Sequence, residues 1–249
     1  MADFDLASLL AFQPPRWLCE KCLALIREEP SRRAPGGKVI PLRCPVCKVE
    51  YVPTDEYRSV GRYLTGITRG IEFEDIIGHS TSLAILAEQA RKKSETPPLY
   101  FLLAALAQAQ QFIHFSTFGI SLMLIGALKL VAQRVPVRGI VSNADPHALA
   151  ELKEEDAGPR LDVHVYGREA TWRDMPHQKL VVVDGLLAFK GSANLTTNAW
   201  RNAGKGLDIV EPLTNVGEVI DLHNRYFSPV WASFSKIGDR IEMNDDIPF

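Results

Sequence analysis

The sequence predicts a layered α/β domain preceded by a small cysteine-bearing segment, and three observations carry that expectation. From residue 99 onward, stretches with apolar residues at helical spacing alternate with short runs rich in Val, Ile and Phe. That alternation belongs to a sheet flanked by helices. An Asp184-Gly185 pair stands between Leu180-Val-Val-Val and Leu186-Leu-Ala-Phe-Lys, which signals a hairpin. All four cysteines of the 249-residue chain fall in two C-x2-C pairs.

Taken in order, Met1 to Gln13 reads as a short amphipathic lead, residues 14–53 as a ribbon, residues 54–97 as a helical connector, and residues 98–249 as the main domain. The connector ends in Lys92-Lys-Ser-Glu-Thr-Pro-Pro, a polar, proline-rich stop. Within the main domain the patterns predict helix Leu99 to Ala109, strand Gln111 to Ser116, helix Ile120 to Gln133, strand Val137 to Ser142, helix Pro146 to Glu154 and strand Leu161 to Tyr166. The hairpin strands follow, then a turn or helix at Thr196 to Asn202, strand Leu207 to Pro212 and a closing helix Val216 to Phe234. No internal repeat or low-complexity tract interrupts the pattern.

Composition narrows the classes of function. With 46% hydrophobic and 23% charged residues the chain can bury a full core. A formal net charge of −2 gives no global basic field, so contact with nucleic acid would rest on local patches. The most apolar stretch, Gly119 to Val135, carries Lys129 and Gln133 inside it, and reads as a buried helix and not a membrane span. Met-Ala-Asp-Phe-Asp lacks the basic region and apolar run of a signal peptide. A soluble cytoplasmic protein without a membrane partner is the expectation.

Cys19-x2-Cys22 and Cys44-x2-Cys47 are separated by 21 residues, close to the spacing of a zinc ribbon, in which four thiolates hold one tetrahedral Zn2+. A segment this short has little core of its own, so the metal would supply much of its folding free energy. One structural zinc per chain is expected at Cys19, Cys22, Cys44 and Cys47; the alternatives are two disulfides, which an intracellular setting disfavours, and a redox pair, which would not need the second C-x2-C. Between the outer cysteines lie Lys21, Arg27, Arg32, Arg33, Lys38 and Arg43 against Glu20, Glu28 and Glu29. Arg32, Arg33 and Lys38 flank a Pro-Gly-Gly tip and are candidates for phosphate contact; an ordinary solvated loop and a protein-docking surface are the alternatives.

The chemistry is carried by His177-Gln-Lys179-Leu-Val-Val-Val-Asp184 and, six residues on, Gly191-Ser192-Ala-Asn194. Two residues apart on an extended segment, His177 and Lys179 point to one face. A phosphodiester is anionic and repels nucleophiles, so a catalyst without a metal must bring positive charge, a nucleophile that is not an alkoxide, and an acid for the leaving oxygen. Imidazole can attack in one copy and donate a proton in another. Lys179 would neutralise the non-bridging oxygens, with Ser192 and Asn194 donating hydrogen bonds to them. Asp184 either joins this set or shapes its turn.

These residues match H-x-K-x4-D-x6-G-S-x-N in full, and on them the chain resembles the phospholipase D superfamily from about Pro98 to the C-terminus. The resemblance implies a mixed β-sheet flanked by helices, a metal-independent phosphodiesterase with no catalytic metal, and an acidic residue after the G-S-x-N segment that orients the histidine. Asp208 is the first candidate for that orienting role and Glu211 the second. None of His79, His114, His147, His164 and His223 has a lysine two residues on, so one motif is present. Single-motif members such as the small bacterial endonucleases share one active site across a homodimer axis; a degenerate monomer that binds phosphates is the alternative. The functions left open are a nuclease acting on DNA or RNA, a phospholipid hydrolase or transferase, and a non-catalytic component of a larger defence or repair complex. His114 reads as a core residue or an indirect contributor to the cleft, and Trp172 and Trp200 as aromatics available for stacking or packing.

Overall fold

The computed structural model describes residues 14–15, 17–27, 42–51, 61–63, 73–92, 95–153, 160–166 and 177–241. The lead over residues 1–13 lies outside the described residues. No helix among those described is long and apolar enough to cross a membrane. The chain divides into two compact units, one comprising Met1–Glu72 and Val216–Phe249 and the other Phe73–Asn215.

In the first unit, β1 (Trp17–Cys19) pairs antiparallel with β2 (Leu25–Ile26) and with β5 (Gly61–Tyr63), while β3 (Leu42–Arg43) and β4 (Glu50–Tyr51) form a separate hairpin. The connector expected to be helical over residues 54–97 therefore contains a strand. Its Gly61 faces Cys19 across the ladder, and pairing with β1 satisfies backbone groups that a helix would have satisfied internally. Helix begins at Phe73, as α1 (Phe73–Arg91) of the second unit.

The second unit is built on six strands: β6 (Ile113–Thr117), β7 (Val137–Val141), β8 (Leu161–Val165), β9 (Leu180–Val183), β10 (Leu187–Gly191) and β11 (Val210–Leu213), in the order β11-β10-β9-β6-β7-β8. This is the mixed sheet flanked by helices that the resemblance implies. The strands β6, β7 and β8 run parallel, which requires crossovers; α3 (Leu122–Ala132) and α4 (Pro146–Lys153) supply them, and α2 (Pro98–Gln108) precedes β6. Every residue of β9 is buried, as a central strand covered on both faces must be. The hairpin turn forms at Asp184 and Gly185, with φ of 56° and 70°, the positive values of a type I′ turn. After β10, α5 (Thr197–Gly204) is capped by the Thr196 side chain, which accepts the Ala199 N–H.

Strand register decides where the chemistry lies. Ser116 pairs with Leu180, Leu180 with Lys190, and Gly191 with Val210, all antiparallel. The C-terminal ends of β6 and β10 therefore meet the N-terminal ends of β9 and β11 on one edge of the sheet. The Asp184 turn lies on the opposite edge, beside the start of β6.

The closing helix expected over Val216 to Phe234 is two helices, α6 (Val216–Tyr226) and α7 (Ser228–Ile241), divided at Phe227. Pro229 has no N–H to continue the ladder and disfavours helix in the residue before it. These helices belong to the ribbon's unit: Asn224 accepts the Leu25 N–H through Oδ1 and donates to the Leu25 carbonyl through Nδ2, both at 2.7 Å. The side chain thus caps β2 as another strand would. Next to it, His223 is fully buried, with Asn224 Oδ1 at 3.2 Å and Ser228 Oγ at 3.3 Å of its Nδ1. Burial pushes its pKa down to about 4, against the opposing hydrogen bond to Asn224.

A depressed histidine pKa stabilises the fold above the unfolded value of about 6.5. As pH falls from there towards 4, the unfolded chain binds the proton and the folded chain does not, so stability is lost across that window, by about 3 kcal/mol for this one group. His223→Gln is expected to flatten the pH dependence of the urea midpoint between pH 7 and 4.5. An equally steep loss in both proteins would remove His223 as its source.

Candidate active site and metal centre

At the sheet edge where the ends of β6, β9, β10 and β11 come together, the backbone is tied across strands around the motif residues. Thr117 Oγ1 receives the Leu195 N–H at 2.8 Å and donates to the Gly119 carbonyl, so the end of β6 is bolted to the Gly191–Asn194 segment. Ser192 and Ala193 both donate their N–H groups to the Ile209 carbonyl. Gly191 has a φ of 153°, and a Cβ there would come within 2.0 Å of the Ile209 carbonyl oxygen. That close approach is the physical reason for glycine at this position of the motif.

On this frame, His177 and Lys179 stand just before β9. The imidazole of His177 is exposed and stacks on the Phe118 ring, with centroids 5.4 Å apart and planes 14° apart. Lys179 Nζ donates to the His177 carbonyl at 2.6 Å and lies 6.0 Å from the centre of the same Phe118 ring. Partial burial holds the Lys179 pKa below the ordinary lysine value. A small cleft runs from Ser116 and Lys179 past Lys190 to Trp200. Trp200 packs edge-on against Phe189, so it is a wall of the core; Trp172 lies outside the described residues. His114 is buried in β6 with its ring against Phe112.

Ser192 and Asn194 occupy this edge with different commitments. Ser192 Oγ donates to Asp208 Oδ1 at 3.0 Å and accepts the Ile209 N–H at 2.9 Å. Asp208 therefore orients Ser192, and no hydrogen bond joins it to His177. Its short side chain is taken up by the hydroxyl next to it. Glu211 pairs with Lys190 at 3.3 Å. The Oδ1 of Asn194 is buried and has no hydrogen-bond partner among the described residues, leaving an amide that is not consumed by the fold.

Asp184 does not join these groups. Its carboxylate, almost wholly buried, accepts the backbone N–H groups of Gln110, Gln111 and Phe112 at 2.8 to 2.9 Å and lies 2.7 Å from His79 Nε2. It is a clasp joining the hairpin turn to α1 and to the entry of β6, at the far edge of the sheet. Asp184→Ala would strand three N–H donors and an imidazole, and is expected to cost about 3–5 kcal/mol. Chemical denaturation measures this; turnover per folded molecule at low temperature should be preserved. A variant of normal stability with no turnover would return Asp184 to the catalytic set. His79 and Phe118 are residues that sequence reasoning missed. Phe118, two residues beyond Ser116 at the end of a predicted strand, had a positional signal; His79 had none.

Of the other residues expected to touch substrate, Arg32, Arg33 and Lys38 lie outside the described residues. The four cysteines converge as their spacing predicts. Their sulfurs all lie within 4.8 Å of one another, with Cys19 to Cys47 at 3.6 Å and Cys22 to Cys44 at 3.5 Å, and none is in a disulfide. Tetrahedral bonds of ~2.3 Å place sulfurs ~3.8 Å apart, so the set fits one metal ion.

The two knuckles are built alike. Leu23 and Lys48, each following the second cysteine of its pair, take positive φ of 57° and 64°. Each donates its N–H to the carbonyl of the first cysteine of its knuckle, and Cys19 and Cys44 bond Ala24 and Val49 in the same pattern. Hydrogen bonding with Cys19 and burial push the Cys44 thiol up to about 11, and contact with Cys19 and Cys44 raises that of Cys22. Without a cation, the cluster resists holding several thiolates together.

A mixed sheet whose strand ends gather one H-x-K pair and one G-S-x-N segment defines a phosphodiesterase-type domain of the phospholipase D superfamily. The family model described as cardiolipin synthase, PLD-like domain, matches residues 102–231, and the chain belongs to that family. Among solved structures it is similar to NucT from Helicobacter pylori, at 19% identity and a TM-score of 0.42, over 54% of this chain and 87% of that one. It is also similar to Nuc from Salmonella typhimurium, a phospholipase D family member, at 17% and 0.38 over 52% and 86%. The archaeal chromatin protein TrmBL2 is similar at 15% and 0.37 over 65% and 62%. No curated protein matches the sequence.

Proposed function

We propose that the protein is a metal-independent nuclease that cleaves DNA or RNA through a phosphohistidine intermediate in an active site shared by two copies of the chain. The observation that carries this reading is the placement of His177 and Lys179 on the same sheet edge as Ser192 and Asn194, with the motif present once. The nucleophilic His177 ring nitrogen would attack phosphorus as the P–O bond to the leaving group breaks. His177 of the second copy would give its proton to the departing oxygen and then take one from the water that hydrolyses the P–N bond. Lys179 and the Asn194 amide would face the non-bridging oxygens. Ser192, whose hydroxyl donates to Asp208 Oδ1, would redirect that hydrogen bond towards the phosphoryl group on binding.

Dimerisation is supported by exposed apolar side chains around this edge. Leu207 and Ile209 are 75% and 66% exposed on the loop that bonds Ser192, and Leu122 and Met123 are 51% and 42% exposed just beyond Ser121, whose N–H is bonded to the Leu195 carbonyl. Apolar surface of this kind suits a self-complementary patch. In the ribbon, Cys19, Cys22, Cys44 and Cys47 would hold one structural Zn2+, and the intervening Arg32, Arg33 and Lys38 would contact phosphates. The division into ribbon, connector and catalytic domain, a cytoplasmic location and service in a defence or repair complex belong to the same reading. A phospholipid substrate is the second reading, favoured by the lipid enzyme that names the family model.

The test is cleavage of labelled single-stranded DNA, duplex DNA, RNA and a phospholipid over short times in EDTA, with zinc content measured in parallel. Polynucleotide cleavage is expected to persist while the ribbon keeps its metal. In a 1:1 mixture with His177→Ala, random exchange of subunits leaves about a quarter of dimers with two histidines, so the rate should fall well below half. Strict dependence on added Mg2+, full activity in a monomer, or turnover of the phospholipid alone would each defeat the reading.

A further inference from the structure

Phe118 is placed by the fold with more constraint than its sequence suggests. It follows β6 directly, and its carbonyl accepts the Asn143 N–H at 2.7 Å, which ties it to the loop after β7. The preceding residue, Thr117, bonds both the Gly119 carbonyl and the Leu195 N–H. The backbone on either side of the ring is therefore held by the two neighbouring segments of the sheet edge. A half-buried ring on such a backbone has a defined direction.

His177 is in the opposite situation. It is exposed, lies before β9 outside any ladder, and its imidazole makes no hydrogen bond among the described residues. The contact that defines its plane is the near-parallel stack on Phe118, 5.4 Å between centroids at 14°. Lys179, two residues along, lies over the same ring. The expected orienting carboxylate, Asp208, is bonded to Ser192 instead. An imidazole that must attack phosphorus in line needs its ring plane fixed, by a hydrogen bond to its second nitrogen or by a face against which it packs.

We propose that Phe118 is the positioning residue of the active site: its ring is the platform on which the His177 imidazole is held flat, with Lys179 kept beside it. The proposal rests on the reading of His177 as the nucleophile and assigns to an aromatic face the task expected of a carboxylate. The stack engages the face of the imidazole and forms no hydrogen bond with its nitrogens, so one of them can face substrate. It also shields one side of the imidazole from water. Aromatic pairs favour offset geometry of this kind.

The experiment compares Phe118→Leu, which keeps apolar volume and removes the flat face, with Phe118→Tyr and Phe118→Trp, which keep a face. With bis(p-nitrophenyl) phosphate as probe, Phe118→Leu is expected to lower kcat by about 10- to 100-fold with KM changed less than about twofold, the pattern of lost orientation. The Tyr and Trp variants should retain most of the wild-type kcat. Independently of turnover, the carbon-bound ring protons of His177, assigned by NMR, should move downfield in Phe118→Leu as the ring current disappears, and stay near their wild-type positions in Phe118→Tyr. Thermal melting of each variant separates these effects from unfolding.

Unchanged His177 resonances in folded Phe118→Leu would overturn the proposal, as would a wild-type kcat in that variant beside an inactive His177→Ala. Activity retained by His177→Ala itself would overturn the nucleophile reading and the proposal with it, so the two failures are distinguishable.

Discussion

Replacing His177 with alanine is expected to lower turnover by at least about a thousandfold while the fold, the metal content and substrate binding stay close to wild type. The size follows from the role: removing the group that forms the covalent bond loses an interaction made in the transition state, and single losses from a unit of this kind cost as much as dismantling the unit. A thousandfold corresponds to about 4 kcal/mol of transition-state stabilisation. The fold should be indifferent because the imidazole is exposed and its described side-chain contact is one stacked ring; surface changes of this type stay within about 0.5 kcal/mol. Rapid quench with labelled substrate should trap the label on wild-type protein, in an acid-labile, base-stable form, and not on the variant. Retention of a tenth of the wild-type rate would remove His177 from the role.

The second large effect concerns the cysteine cluster. Cys44→Ser, or stripping with a strong chelator, is expected to unfold the ribbon, because among the described residues its core is built around the cysteines: Trp17, Cys19, Cys22, Ala24, Ile26 and Cys44, with Val46, Cys47 and Ala232 against it. In segments of this size the free energy of metal binding is folding free energy, on the order of 10 kcal/mol. The damage should extend beyond the ribbon strands, since α6 is bonded to β2 through Asn224. Loss of about one zinc per chain, measured by elemental analysis, should coincide with loss of Trp17 and Trp231 burial by fluorescence. Chains that bind no metal yet keep the native fluorescence and melting point would refute a structural metal. A deletion starting near residue 55 is a poor substitute for this experiment, because it removes the partner of β5 and exposes α6.

Much of the architecture was legible because it is written in short-range chemistry. The apolar runs of β6 to β10, the Asp-Gly turn and the helix periods each depend on residues within a few positions of one another, and the observed elements differ from those expected by one or two residues at most of their ends. The cysteine cluster was legible for a related reason: each C-x2-C pair makes its own knuckle, and a shared metal is the one use that requires two of them. The His177, Lys179, Ser192 and Asn194 set could be named as a group because the motif spacing measures one hairpin, and a hairpin returns the chain to the same edge.

What tertiary structure alone decided are the partners of ionisable and polar groups across long separations. Whether Asp184 faced the site or the core depended on α1 bringing His79 beside the hairpin turn from 105 residues away. Whether Asp208 served His177 or Ser192 depended on how the loop before β11 lies along Gly191. The helix pair after residue 215 reads in sequence as the end of the α/β domain, and it falls in one compact unit with the ribbon, tied by an Asn224 to Leu25 contact spanning 199 residues. Hydrophobic period and motif spacing report which face of an element is buried and which residues share an edge. They carry no information on which distant backbone or side chain will meet a carboxylate there, because that is set by strand order and helix docking, and those are properties of the packed whole.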